Sequence, residues 1–246
     1  MRSPTTISPL KAVLWDMDGT IVDTEPYWIA AERALVEAHG GTWSQEQALQ
    51  LVGQALTFSA GVLQRAGVNL EERQIIDTLT AAVVSSVKRQ VPWRPGAREL
   101  LEELHVAGIR CALVTMSEGP LARQVVDSLP RPYFEVVITG DSVTQGKPHP
   151  EAYLTAVERL RQADPTLGIQ DCVALEDSAP GVAAAVASGV ATVAVPHIVP
   201  LPADGQYTLW ETLAGRSLSD LESIVDPRPE AGPATATVPL LGGARD

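Results

Sequence analysis

Five short segments of the chain are almost continuously apolar and lack the alternation of a strand with one face in water. They are rich in Val, Ile, Leu and Ala, with the sequences KAVLWD, RCALVTM, FEVVITG, CVALED and ATVAVP. This pattern predicts strands of a parallel sheet that is covered on both faces. Amphipathic or Ala-rich helical patterns lie between them, in PGARELLEELHVAG, HPEAYLTAVERLRQA and PGVAAAVASG. Alternating strands and helices predict an α/β fold with a Rossmann-like, doubly wound parallel sheet.

One long interval interrupts this alternation. Between the first strand and the next helix, residues 24–92 contain four helical patterns and no convincing strand pattern. We therefore predict an α-helical domain inserted after the first strand, with residues 1–23 and 93–225 forming the α/β core. Residues 226–246 are rich in Pro, Gly, Ala and Thr, which predicts a disordered tail.

The composition argues against two classes of partner. Asp and Glu number 30 against 18 Lys and Arg, which gives a formal net charge of -12 over 246 residues. Such a chain lacks the basic surface that binds nucleic acid, and an anionic membrane would repel it.

The two cysteines, Cys111 and Cys172, lie within apolar segments, which predicts buried, reduced thiols. We see no signal peptide and no apolar run of membrane length, so we expect a cytoplasmic protein.

Polar side chains follow four of the predicted strands where each strand ends. In chain order they are Asp16, Asp18, Thr115, Ser117, Lys147, Glu176 and Asp177. In an open parallel sheet these ends share one edge, where ligands bind near the reversal of strand order. Clustered carboxylates repel one another, and a divalent cation with oxygen ligands relieves that repulsion. The edge is therefore a predicted Mg²⁺ site, with candidate ligands Asp16, Asp177, Glu176 and a backbone carbonyl near Asp18.

The same edge has the groups that a phosphoryl site needs. Lys147 adds a positive charge, Thr115 can donate a hydroxyl hydrogen bond, and Gly19 lets backbone N–H groups approach a ligand. In such a site a carboxylate can act as the nucleophile. Asp18 lies two residues beyond Asp16 along an extended chain, on the same side. It is placed to protonate a leaving oxygen and then to activate water.

Four motifs, DMDGTIVDTE, LVTMS, GKPHPE and LEDSAPG, together resemble those of the haloacid dehalogenase (HAD) superfamily, over residues 11–225. The inserted helices resemble the cap domain of its subfamily I. The resemblance implies that Asp16 forms an aspartyl-phosphate and that Asp18 is the general acid/base. It also implies a metal site of Asp16, Asp18, Asp177 and Glu176, and a phosphate site of Gly19, Thr115, Met116 and Lys147. Three residues where the chain enters the cap are hinge or cap-facing candidates: Asp23, Thr24 and Glu25.

The acid at position 18 distinguishes branches of the superfamily, because its dehalogenases lack an acid there. Asp18 favours hydrolysis of a phosphate ester, or phosphoryl transfer between sugar hydroxyls. The chain resembles sugar and glycolate phosphatases, so we expect a Mg²⁺-dependent phosphatase of a small phosphorylated metabolite. A β-phosphoglucomutase-like mutase and a non-catalytic sensor of a phosphorylated ligand are alternatives. The mutase needs a second anion site, and residues 34–64 contain no Lys or Arg.

Two features stay open from the sequence alone. Four cap aromatics could line a substrate lid or simply pack between helices: Tyr27, Trp28, Trp43 and Phe58. The chain could be a monomer or a homodimer.

Overall fold

The structure is a computed structural model that describes residues 10–225. At its centre lies a six-stranded sheet, ordered β3-β2-β1-β4-β5-β6, in which every neighbouring pair is parallel. The strands are β1 (Ala12–Trp15), β2 (Arg110–Val114), β3 (Phe134–Ile138), β4 (Cys172–Glu176), β5 (Ala191–Ala194) and β6 (Thr208–Leu209). The predicted Rossmann-like α/β sheet is confirmed. The predicted tail, residues 226–246, lies outside the described residues.

Helices cover both faces of the sheet. Along β1, Val13 and Trp15 pack into one core cluster and Ala12 and Leu14 into another, because alternate strand residues point to opposite faces. The first cluster receives α5 (Ala97–Ala107), α6 (Gly119–Val126) and α9 (Leu218–Glu222), and the second receives α7 (Glu151–Ala163) and α8 (Ala179–Ser188). Both sheet faces are therefore buried, which is why the strands are apolar without alternation. No helix within residues 10–225 has the length and apolar character to cross a membrane.

Four further helices lie between β1 and α5, as the sequence predicts. They are α1 (Glu25–Ala38), α2 (Gln45–Leu49), α3 (Leu56–Arg65) and α4 (Glu72–Arg89). A proline in the first turn of α1 and a capping box between Ser44 and Gln47 at α2 fix two of the helix starts. The central helix, α4, buries an apolar stripe that includes Ile75, Leu79 and Val83. It packs against both α1 and α3.

Two neighbouring segments connect these helices to the core. Val22 and Trp93 form an antiparallel bridge. On either side of it, the Asp23 N–H donates to the Pro92 carbonyl and the Arg94 N–H to the Ile21 carbonyl, both at 2.8 Å. The chain thus leaves and re-enters the core at one place, which is the geometry of a hinge. We propose residues 24–92 as the cap domain on this basis.

Three elements were not among the sequence predictions. The edge strand β6 has only two residues, both exposed, so no apolar run announces it. The helices α6 and α9 have eight and five residues, too short for a clear 3.6-residue periodicity. All three lie at the periphery of the sheet or its helical layers, and none changes the predicted topology.

Candidate active site

The strand order reverses between β1 and β4, and the predicted carboxylates meet there. Trp15 pairs with Leu175, and the Asp16 N–H donates to the Leu175 carbonyl at 3.0 Å. This pairing brings the ends of the two strands side by side. As a result, carboxylate oxygens of Asp16, Glu176 and Asp177 lie within 4.8 Å of one another, all buried. The cluster lies at the switch point of the sheet, where open α/β folds bind their ligands.

Lys147 reaches this cluster from the loop between β3 and α7. Its ammonium group contacts Asp16 at 2.6 Å, the Val114 carbonyl at 2.9 Å and Glu176. Burial alone would lower the pKa of Lys147, but the carboxylates of Asp16 and Glu176 raise it above its ordinary value. Lys147 is therefore cationic at neutral pH and offsets part of the charge of the cluster.

The carboxylate of Glu176 is bonded at both oxygens. Oε1 accepts from Lys147 and from the Tyr153 hydroxyl at 2.7 Å. Oε2 accepts from the Asp177 N–H at 3.2 Å and the Ser178 hydroxyl at 3.3 Å. Because both oxygens of Glu176 already accept hydrogen bonds from the protein, its carboxylate is less available to coordinate a metal ion. Its position favours a role as the counter-ion that orients Lys147, with Asp16 and Asp177 the better candidates for direct ligation.

The cluster has the donor chemistry of a Mg²⁺ site. Three carboxylates face a single ammonium group, so the fully ionised cluster has an excess of negative charge. Burial, then the charges of neighbouring carboxylates, raise the pKa values of Asp16 and Asp177 above their ordinary range. A hard divalent cation with oxygen ligands would remove that repulsion and restore the ionised forms. The residues present therefore fit the predicted metal.

Asp18 faces a different set of partners, all of them hydrogen-bond donors. Oδ1 accepts from the Thr24 hydroxyl and from Trp28 Nε1 at 3.3 Å. Oδ2 accepts from the hydroxyls of Thr115 at 3.1 Å and Ser117 at 2.7 Å. The side chain is thus held between the cap entry and the end of β2, and it is not one of the three clustered acids Asp16, Glu176 and Asp177. This placement suits proton transfer better than ligation through the carboxylate.

Two predicted phosphate-site residues, Gly19 and Met116, lie at the site for partly different reasons. Gly19 has φ +86°, and a Cβ there would collide with the Asp177 carboxylate, so only glycine lets the two segments approach. Its own N–H donates to the Val22 carbonyl at 2.7 Å and is not free for a ligand. Met116 lines the cavity, and its sulfur accepts the N–H of Lys147 at 3.2 Å.

A cavity between the core and the cap connects these groups. Its core end is lined by Asp16, Asp18, Thr115, Met116, Ser117, Lys147 and Ser178. Its cap end is lined by Glu25, Trp28, Glu32, Leu51, Gly53, Gln54, Leu56, Ser59 and Leu79. The cavity thus brings the predicted phosphoryl-site residues to its floor and has a separate surface at its cap end.

The sequence predictions captured the floor of the cavity better than its cap end. Of the proposed lid aromatics, Trp28 lines the cavity, while Trp43 supports it from behind by donating to Glu32 at 3.1 Å. Tyr27 bonds to the Gln90 carbonyl, and Phe58 is half exposed outside the lining. Glu32 was missed, although it is seven residues from Glu25 and so on the same helical face.

A family model of haloacid dehalogenase-like hydrolases matches residues 13–195. The chain belongs to the haloacid dehalogenase-like hydrolase family. The resemblance drawn from the four motifs is confirmed, as is the predicted enzyme class, a HAD-type phosphoric monoester hydrolase.

Two similar proteins are named as phosphatases. The chain is 32% identical to a phosphorylated carbohydrates phosphatase of Thermotoga maritima, over 74% of this chain and 82% of the relative. It is 34% identical to hexitol phosphatase A of Escherichia coli, over 75% and 82%. Among solved structures, CbbY of Rhodobacter sphaeroides in complex with phosphate superposes with a TM-score of 0.78 at 26% identity, covering 87% of this chain and 99% of CbbY.

Proposed function

We propose that this HAD-type hydrolase is a Mg²⁺-dependent phosphatase that hydrolyses the monophosphate ester of a small carbohydrate or related metabolite. The observation that carries the proposal is the arrangement at the cavity floor. A buried carboxylate, Asp16, contacts the ammonium of Lys147 at 2.6 Å, and a second acid, Asp18, lies at the same cavity wall. The relatives named as phosphatases of phosphorylated carbohydrates and hexitols support the substrate class.

The proposed first step is an in-line displacement at phosphorus. A carboxylate oxygen of Asp16 forms a bond to phosphorus while the ester P–O bond breaks, giving an aspartyl-phosphate. Asp18 donates its proton to the departing alcohol oxygen. Lys147, which lines the floor, is placed to offset the charge of phosphoryl oxygens. Asp16 and Asp177 would hold Mg²⁺, which supplies further neutralisation of phosphoryl charge when bound.

The proposed second step releases phosphate. Water attacks the phosphorus of the aspartyl-phosphate and gives a proton to Asp18, now ionised from the first step. The Asp16–phosphorus bond breaks, so the Asp16 carboxylate and the Asp18 acid are both regenerated. The hydroxyls of Thr115 and Ser117 contact Oδ2 of Asp18 and orient its carboxyl group.

The mutase alternative requires a second anion site at the cap end. Among the cavity-lining residues that the structure describes, Lys147 is the only lysine or arginine, and it is bound at the floor. The cap end instead presents two glutamates, Glu25 and Glu32. A doubly phosphorylated intermediate would meet no cation there, so the geometry favours hydrolysis of a monophosphate.

The test is release of inorganic phosphate, with Mg²⁺, from a panel of sugar phosphates, hexitol phosphates, phosphoglycolate and nucleotides. Asp16→Asn is the inactive comparison, and Asp127→Asn, at an exposed position on the core, is the matched control. We expect turnover of one or a few panel members by the wild type and by the control, lost in Asp16→Asn and on chelation. Turnover retained in Asp16→Asn would refute the nucleophile. Isomerised product with little free phosphate would indicate the mutase, and binding without turnover would indicate a sensor.

A further inference from the structure

The cap end of the cavity has a chemistry of its own. Glu25 and Glu32 come from α1, Gln54 and Ser59 from the segment around α3, and leucines complete the wall. The polar groups are hydrogen-bonding and acidic, without lysine or arginine among the described lining residues. Such a surface disfavours a second anionic group and can bind neutral hydroxyls.

Glu32 is the unusual member of this surface. Glu32 is only 5% exposed, although it lines the cavity. Trp43 Nε1 donates to Oε2 at 3.1 Å, and no group within residues 10–225 donates to Oε1. An oxygen of a cavity-lining carboxylate that has no donor from the protein is a position where a ligand donor gains affinity.

The neighbours of Glu32 fix its orientation. Trp43 is itself buried, so its indole holds Oε2, and Oε1 is the oxygen that remains available to a ligand in the cavity that Glu32 lines. Burial raises the pKa of Glu32 to about 7, despite the hydrogen bond from Trp43, which lowers it. This energetic cost of keeping an acid inside the cap indicates a use for it beyond packing.

We infer that Glu32 is a specificity-determining residue that accepts hydrogen bonds from hydroxyl groups of the substrate. The inference rests on the proposed phosphatase function and assigns a residue of that same site. The phosphoryl group occupies the floor near Asp16, and the hydroxylated carbons extend toward Glu32. Gln54 and Ser59 lie beside this path and offer both donors and acceptors to further hydroxyls.

The same acid selects against other phosphorylated metabolites. A second phosphate or a carboxylate on the substrate would face Glu32 and Glu25, with no lysine or arginine among the described residues that line the cap end. An aliphatic phosphate would leave Oε1 of Glu32 without a donor. Sites built to bind a substrate hydroxyl discriminate strongly against analogues that lack it, for this reason.

The test compares two esters that differ in hydroxyl groups, a hexitol phosphate and n-hexyl phosphate. For each, kcat/KM is measured from phosphate release with wild-type protein, Glu32→Leu, Glu32→Gln and the control Glu37→Gln. Glu37 lies on the same helix but is exposed. The readout is the ratio of the two kcat/KM values, because a purely structural defect changes both esters together. Thermal unfolding confirms that each variant is folded, and Glu32→Gln keeps an acceptor for Trp43.

We expect the ratio to fall about 10- to 100-fold in Glu32→Leu, as for loss of a hydrogen bond to a charged group. A smaller fall is expected in Glu32→Gln, and none in Glu37→Gln. An unchanged ratio in both Glu32 variants, or an equal loss for both esters, would overturn the inference while leaving the phosphatase intact. Failure of the wild type to release phosphate from either ester, or from the wider panel, would instead overturn the proposed function.

Discussion

Glu32→Gln is expected to stabilise the folded protein, and to do so increasingly as the pH rises. Burial raises the pKa of Glu32 from its ordinary 4.5 to about 7. The folded state therefore binds this proton more tightly than the unfolded state. The stability that comes from this proton is fully present below the pKa of the unfolded state and is lost as the pH rises through the pKa of the folded state. The difference between the two values corresponds to about 3 kcal/mol of unfolding free energy between about pH 4.5 and pH 8. Glutamine has no proton to lose and escapes this loss.

The assay is unfolding in urea, followed by tryptophan fluorescence, at several values of pH in that window and with chelator present. For a chain of this size, about 3 kcal/mol also corresponds to about 6–12 °C in melting temperature. The unfolding free energies of wild type and Glu32→Gln should agree near the acid end of the pH window and differ increasingly toward its alkaline end. Burial, then the charges of Asp18 and Glu32, raise the pKa of Glu25 to about 8. Loss of the Glu32 charge should lower the pKa of Glu25, which adds to the stabilisation of Glu32→Gln in the same direction.

A stability difference that does not change with pH would refute the reasoning, because a change in packing alone has no proton linkage. The control Glu37→Gln alters an exposed acid of the same helix and should follow the wild type at every pH. Agreement would show that the cap retains Glu32 at a cost in stability. Such a cost is typical of residues that serve binding rather than folding.

Three further substitutions test the site and its closure. Asp18→Asn should lower kcat by at least about 100-fold while inorganic phosphate still competes as an inhibitor, and wild-type rates would exclude general acid/base catalysis by Asp18. Trp28→Phe removes a donor to Asp18 and should lower kcat about tenfold with little change in melting temperature, measured in the same assay. Arg73→Ala removes a two-pronged ion pair to Glu118, at 2.7 and 2.8 Å, between the cap helix α4 and the start of α6. Because Arg73 is half exposed, its ion pair with Glu118 should contribute no more than about 1 kcal/mol to holding the cap against the core. We expect KM to rise by up to about fivefold in Arg73→Ala and to stay unchanged in the control Arg33→Ala.

The core of the site could be predicted because parallel strands impose strong geometric rules. Apolar runs without alternation identify strands buried on both faces, and the residues that follow them must meet at one edge. Asp16, Lys147 and Asp177 are brought together in this way, although they are distant in sequence. Their motifs also have fixed places on strand ends, so local pattern and tertiary position agree.

The cap end could not be predicted with the same certainty, because a helical pattern does not reveal which acids are buried. Glutamates on α1 are expected on a solvent face, and only the packing of that helix against α4, with Trp43 alongside, encloses Glu32. The four donors around Asp18 are a similar case. Thr24 and Ser117 were each recognisable as polar residues at an element's end, but their convergence on one carboxylate depends on how the cap meets the core.

The two ends of the cavity impose complementary requirements on a substrate. At the floor, Lys147 is already paired with Asp16 and Glu176, so the fully ionised cluster has an excess of negative charge that would repel a phosphate dianion. Under the proposed function, a divalent cation would offset that charge when one phosphoryl group binds. At the cap end, Glu25 and Glu32 offer no cation to a second anion, and Glu32 has an oxygen for a hydroxyl donor. A molecule with one phosphate and several hydroxyls satisfies both conditions, whereas a bisphosphate satisfies only the first and an aliphatic phosphate leaves the acid of the cap unpaired.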